Sequence, residues 1–359
     1  MKVLISLNHP AHYYVFKNTV INLQKSGIQT KYLIREKDIL EKLLQSEGVD
    51  YIKINEKRNR KATAFSVISN GIIELIKQDF NLLRFVLKWK PDLMIGTDIS
   101  ITHIGKLLFI PSFVFNEDDF EINKLFCKSS YPFATKIIAP ETCSVGPYLQ
   151  KKVSYNGIQK MAYLHPKYFN PDHSRISEYV AGYDRYFVIR LVSLTSGHDI
   201  EGKHSGLNEN LIDRIIEKLE PLGKVIINSE GLVISKYEKY LLKLEANKMH
   251  HLLAFADIFI GDSQTMCAEA GLLGTPFIRF NDFVGKIEYL NEIENKYQLG
   301  YGVTTNNPDQ IIECIDEILA IPGFKDVWKV RKENIFREKI DATQWYTEYI
   351  MSYLFRKKD

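Results

Sequence analysis

Along most of the chain, apolar runs of strand length alternate with amphipathic runs of helix length, a pattern that restricts it to a parallel α/β architecture. Residues 2–8 (KVLISLN) read as a strand, 10–26 as a helix closed by Gly27, and 29–35 (QTKYLIR) as a second strand, which together make an opening βαβ unit. Strands DLMIGT (92–97), SFVFN (112–116) and TKIIAP (135–140) extend this first sheet, which ends near residue 155. A second series follows with YFVIRLVS (186–193), a helix over about 207–219, KVIINS (224–229), DIFIGD (257–262) and PFIRF (276–280). Residues 156–185, rich in Pro, Gly, His and Tyr and without a regular period, read as a linker. A length of 359 residues fits two domains better than one. The expectation is two Rossmann-like domains, 1–155 and 186–340, facing a central cleft.

Charge and cysteine usage remove several function classes. A net charge of +3 leaves no basic excess for nucleic acid as the main partner. Cys127, Cys143, Cys267 and Cys314 are scattered without paired spacing, so neither a zinc site nor a disulfide framework is expected, which fits a reducing cytoplasm. The first residues, MKVLISLNHPAHYY, lack the apolar region of a signal peptide, and no stretch reaches the ~18 apolar residues of a membrane span. Contact with a membrane surface stays open. KRNRK (57–61) precedes residues 64–90, where apolar positions recur at helical spacing beside Lys77, Arg84, Lys88 and Lys90. Such a helix either packs on the sheet with its cations outward or lies at the inner face of a membrane.

Ligands of open α/β sheets sit outside the carboxyl ends of the strands. One such end is GDSQTMCAEAGLLGTPFIRF (261–280), where Asp262, Ser263, Gln264 and Thr265 form a polar turn between an apolar strand and an apolar helix. The first turn of a helix has unpaired N–H groups and partial positive charge that attract phosphate, and the hydroxyls of Ser263 and Thr265 add donors. Glu269, four residues after Thr265, shares its helix face and can accept both hydroxyls of a ribose. A nucleotide diphosphate fits this set; a capped core helix with a solvated glutamate is the plain alternative.

The turn after the first strand, NHPAH, has no GxGxxG, which disfavours NAD or FAD. His9 and His12 supply imidazoles suited to proton transfer near neutral pH, or else cap the helix. GTDIS (96–100) and FNEDDF (115–120) place Asp98 and Glu117 at strand ends as acid/base candidates or helix caps. The loop TSGHDIEGKHSG (195–206) can close over a sugar diphosphate, with Arg190 or Lys203 neutralising the leaving phosphate and His198 among the contacts. His198, His204 and Asp199 match no metal-ligand spacing, and no DxD triplet occurs, so a metal-independent reaction is expected.

Residues 261–280 resemble the nucleotide-binding segment of the GT-B superfamily, which includes nucleotide-sugar glycosyltransferases and non-hydrolysing UDP-N-acetylglucosamine 2-epimerases. More closely, NHPAHYYVFK (8–17), YNGIQKMAYLHPKYFNPD (155–172), VIRLVSLTSGHD (188–199) and GDSQTMCAEAGLLGTPFIRFNDF (261–283), four segments in order, are similar to the family known as DUF354. The resemblance implies a GT-B-like fold in which the last helix, about 341–359, crosses back to the first domain. It implies phosphate binding by Ser263 and Thr265, ribose binding by Glu269, and His12 as general base on an acceptor hydroxyl. GTDIS and FNEDDF resemble the GDT and HVEAG segments of the epimerases. The epimerase pattern DSGG followed by EE is only partly kept, with Gln264 and Thr265 in place of glycines and Ala268 in place of the first glutamate. The implied function is transfer of a sugar from a nucleotide donor, UDP-linked, to a surface glycan or lipid-linked acceptor, with no separate cofactor. The alternatives are a nucleotide-sugar 2-epimerase and a non-catalytic nucleotide-sugar-binding protein.

Overall fold

The computed structural model describes residues 1–35, 38–54, 64–191, 206–229 and 235–356, and for residues 38 and 64–72 the backbone alone. The chain divides into two compact units, the first made of Met1–Tyr163 with Ile340–Asp359 and the second of Leu164–Lys339.

The first unit carries a seven-stranded sheet with β1 (Lys2–Leu7), β2 (Gln29–Ile34), β3 (Tyr51–Lys53), β4 (Leu93–Gly96), β5 (Ser112–Phe115), β6 (Lys136–Pro140) and β7 (Lys152–Tyr155). Its order is β3-β2-β1-β4-β5-β6-β7, and all the pairings are parallel. Parallel strands are covered by helices on both faces, which is why β1, with Val3, Leu4, Ile5 and Leu7 at 0% exposure, is nearly apolar throughout. Strand order reverses between β1 and β4. At that point a Cβ on Gly96 would stand 2.4 Å from the Ser6 carbonyl oxygen, and its φ of 150° is one that side chains rarely adopt, so only glycine fits.

The helix Ala342–Arg356 belongs to this first unit. Tyr346 is fully buried, its hydroxyl donating to Tyr155 at 2.6 Å and its ring 5.0 Å from Phe115, while the Thr343 hydroxyl donates to the Ala162 carbonyl at 2.6 Å. Residues 156–185, read above as a linker, are shared out: Ile158, Met161 and Ala162 are core residues of the first unit, and the chain from Leu164 onward belongs to the second. Their apolar positions are interleaved with polar and turn residues, which conceals them from a periodicity reading.

The second unit carries β8 (Tyr186–Leu191), β9 (Lys224–Ser229), β10 (Ile258–Gly261), β11 (Phe277–Phe280) and β12 (Gly300–Val303) in the order β12-β11-β10-β8-β9, again all parallel. Here the order reverses between β8 and β10. These two reversal points are where open α/β sheets form ligand crevices. Among the described residues no helix is long and apolar enough to cross a membrane.

Candidate functional site

In the second unit the register pairs Gly261 at the end of β10 with Arg190 on β8, so the turn 262–265 leaves the sheet at its reversal point. Ser263 is the N-cap of the helix Gln264–Leu273, its Oγ accepting from the Met266 amide at 3.3 Å. That is the capping role open to it on sequence grounds, and the Gln264 and Thr265 amides still have no acceptor within the helix. Gly206 approaches so closely that a Cβ there would lie 2.8 Å from Asp262 Oδ2. Asn281 Nδ2 donates to the Asp262 carbonyl at 3.4 Å. Asn281 Oδ1 in turn accepts from Arg279 at 3.2 Å, and the fully buried Arg279 guanidinium spans both oxygens of Glu294 at 2.7 and 2.9 Å. Through this bidentate pair the polar turn is tied to the body of the domain. An arginine inside the apolar strand PFIRF is the sequence signal for it.

Glu269 is not a solvated helical residue. It is 4% exposed, between Ala268 and Ala270 at 0%, and its Oε1 lies 3.3 Å from Nε2 of His250, itself 7% exposed. Phe169 closes over that imidazole edge-on, with ring centroids 5.8 Å apart. A carboxylate so enclosed is costly unless partnered, and His250 is one partner that meets it. The neighbouring His251 is engaged elsewhere, with Nδ1 accepting from the Asp172 amide at 2.9 Å, and burial together with the Arg175 cation pushes its pKa down. Arg190, 9% exposed, donates from a terminal nitrogen to Asn228 Oδ1 on β9. His198, together with Asp199, Lys203 and His204, lies outside the described residues.

In the first unit Asn8 spans the reversal point, its Nδ2 donating to the Thr97 carbonyl at 2.9 Å. His9 caps the helix Pro10–Lys25, its Nδ1 accepting from the Ala11 amide at 3.2 Å, and His12 Nδ1 accepts from the Asn8 amide at 3.2 Å, with the two rings 6.1 Å apart. Each backbone donor fixes a tautomer. With Nδ1 accepting, a neutral imidazole carries its proton on Nε2 and donates from there. The general-base role expected of His12 therefore requires it first to release Asn8.

The carboxylates fall at the ends of β4 and β5. Asp98 is 1% exposed and takes a hydrogen bond from Ser6 on β1, the Arg35 guanidinium at 2.5 Å and the Ser100 amide at 2.9 Å. Both oxygens are thus engaged in joining β1, β2 and the helix Ser100–Leu108. Glu117 forms an ion pair with Lys160, which is 2% exposed, and accepts from the Gln159 amide at 3.2 Å. Asp119 accepts from the Ser144 amide at 2.6 Å. The remaining carboxylate of NEDDF, Asp118, takes no side-chain hydrogen bond from the described residues, and burial, reinforced by the Glu117 charge, pushes its pKa up to about 6 against the opposing pull of Lys160. Asp118, Lys160 and His250 are the residues sequence reasoning passed over. Three adjacent acids in NEDDF do not reveal which is engaged; Lys160 lies within the segment 155–172 that carries the family resemblance, but nothing there singles it out, and His250 lies in none of the four segments. No group of three or more metal-ligating side chains occurs among the described residues.

Several solved structures share this fold. The UDP-GlcNAc 2-epimerase from Neisseria meningitidis bound to UDP-GlcNAc superposes with a TM-score of 0.66 at 14% identity, over 99% of this chain and 100% of that one. Spinosyn forosaminyltransferase SpnP superposes at 0.62 and 12% identity over 99% of each chain. MurG from Acinetobacter baumannii superposes at 0.57 and 15% identity over 98% of this chain and 100% of that one. At these identities the likeness concerns the fold, which is GT-B-like, two Rossmann-like domains each built on a parallel sheet. No curated protein matches the sequence. The family model described as "Protein of unknown function (DUF354)" matches residues 1–314, and the chain therefore belongs to the DUF354 family.

Proposed function

We propose that this protein is a glycosyltransferase that takes a sugar from a UDP-linked donor held by the second unit and passes it to a glycan or lipid-linked hydroxyl held by the first. The observation that carries the reading is the β8/β10 reversal point, where a capped helix N-terminus and the enclosed Glu269 share one helix. The amides of Gln264 and Thr265 with the Thr265 hydroxyl meet the diphosphate, Glu269 takes the ribose hydroxyls, and Arg190 offsets charge on the departing phosphate. The acceptor oxygen forms its bond to the anomeric carbon as the bond from that carbon to the diphosphate breaks, and the acceptor proton passes to a carboxylate. Asp118, with a pKa near 6 and no side-chain hydrogen bond from the described residues, suits that role at neutral pH better than the engaged Asp98 and Glu117. His9 and His12 donate from Nε2 to substrate oxygens. Since the helix N-terminus and Arg190 supply the positive charge, the reaction needs no metal, and turnover withstands EDTA.

The likeness to epimerases, with acidic side chains at the ends of β4 and β5, favours a second reading in which those groups move protons at the sugar of UDP-N-acetylglucosamine. Incubation with UDP-N-acetylglucosamine alone separates the two. Slow hydrolysis at most agrees with transfer, whereas accumulation of the manno epimer establishes epimerisation. Calorimetric titration of UDP tests the binding site common to both, and a wild-type protein without measurable affinity for UDP or another nucleoside diphosphate would remove it.

A further inference from the structure

We infer that the outer face of residues 73–89 of the helix Ala64–Trp89 is a docking surface for an anionic phospholipid bilayer. The inner face of this helix is accounted for: Leu82 and Val86 are 0% and 1% exposed and pack with Leu4, Leu33, Met94, Ile101 and Ile104. The outer face is not polar, as a solvated face would be. Ile73, Ile76, Phe80 and Leu87 are 48%, 61%, 58% and 54% exposed, and a spacing of 3, 4 and 7 residues puts them in one stripe. Beside it runs a second stripe of exposed cations, Lys77, Arg84 and Lys88, at spacings of 7 and 4. The two stripes touch, since the Arg84 guanidinium lies 5.9 Å over the Phe80 ring.

The neighbouring helix Ser100–Leu108 packs beside this one and is joined to it by the bond from His103 Nδ1 to Asp79 Oδ2 at 2.8 Å. Its carboxyl end adds Leu107, 59% exposed, and Phe109, 89% exposed. Phe109 is the C-cap of that helix, with a left-handed φ of 57° that ends it. Large apolar side chains held in water across two adjacent helices mark an interaction surface rather than scattered exposure.

Charge complementarity selects the occupant. In a twofold dimer through this face the same patch meets itself. Lys77, Arg84 and Lys88 would then oppose their own copies, with Glu74 the acidic residue exposed on that side of the helix. An anionic bilayer instead meets the cations with phosphate and admits the apolar stripe to its acyl boundary, as surface-lying amphipathic helices do. The inference rests on neither the transferase nor the epimerase reading.

Sedimentation with vesicles tests it. The full chain should pellet with vesicles of phosphatidylcholine containing a third phosphatidylglycerol, not with phosphatidylcholine alone, and binding should fall as NaCl rises. With each cation adding about fivefold to partition, Lys77→Gln, Arg84→Gln and Lys88→Gln together should lower it about 100-fold. Ile76→Ser with Phe80→Ser should also lower binding, and since these side chains face water the melting temperature should hold. Phe80→Trp reports insertion directly through a blue shift of its emission on anionic vesicles. Failure of the wild type to pellet with anionic vesicles overturns the inference, as does pelleting indifferent to both sets of substitutions. A wild-type dimer that Phe80→Ser converts to monomer assigns the face to a second copy instead.

Discussion

Glu269 and His250 face each other at 3.3 Å in a setting where neither is a tenth exposed. A helix that only covered the sheet would place an apolar residue at position 269, as it does at 268 and 270. The pair instead keeps a carboxylate on the helix that begins at the capped turn 262–265. Glu269→Ala should weaken UDP binding by about 1.5–3 kcal/mol, the worth of hydrogen bonds to a charged group. His250→Ala should weaken it by about 1 kcal/mol through lost orientation, and titration calorimetry on both variants checks the order. Equal affinity in wild type and Glu269→Ala would move the ribose elsewhere.

Asp118 carries a pH signature whose sign follows from its raised pKa. Between the ordinary carboxylate value and about 6 the folded chain holds a proton there that the unfolded chain releases, so Asp118 costs stability as pH rises through that window, and the cost is complete above about 6. Asp118→Asn removes a penalty on the order of 2–3 kcal/mol, raising the melting temperature at pH 7 but not at pH 4. The same variant should lose about 10² to 10⁴ in turnover, and wild-type activity should fall as pH drops below about 6. An Asn variant with full turnover would return the proton to His12 or Glu117.

Asp98 separates structural from chemical roles. It is a buried anion held by Arg35 at 2.5 Å, so Arg35→Ala leaves it without its cation and should cost about 3 kcal/mol in urea denaturation. Donor affinity, assigned to the other unit, should be unchanged. If Arg35→Ala unfolds at the wild-type urea midpoint, the Asp98 cluster is not a structural joint.

His103 stands between two acceptors, Asp79 Oδ2 at 2.8 Å and the Ser129 carbonyl at 2.9 Å, and the bond to Asp79 raises its pKa. With the folded pKa above the unfolded one, its contribution is complete below about 6.5 and is lost as pH rises through the folded value. His103→Gln should flatten that part of the stability–pH curve, and thermal melts at pH 5.5 and 8.5 show it. An unchanged slope would mean that the imidazole stays neutral.

Legibility in the sequence followed burial. β1, β4, β8 and β10 lie inside their sheets and read as apolar runs, whereas β3, β7 and β12, which went unread, are edge strands of three or four residues. An edge strand has one neighbour and a half-exposed face, so KVSY and GYGV carry too little apolar signal to stand out. The caps were legible for a different reason. His9 and Ser263 bond to amides two and three residues away, and such local bonds are set by residue type and order.

The sequence by itself determined the alternation of strand and helix, the polar turns after β1 and β10 with capping among the roles open to His9 and Ser263, and the resemblance that joins them to one family. Tertiary structure alone decided which charged groups are engaged. Asp98 meets Ser6 from 92 residues away, Glu117 meets Lys160 from 43, and His250 reaches Glu269 across the strand between their helices. Asp118, next to Glu117, keeps a carboxylate without such a partner among the described residues. The physical reason is that a side chain's charge state and role depend on which groups the folded sheet brings within hydrogen-bonding distance and how far it excludes water from them. Neither quantity is carried by the residue or its neighbours in sequence.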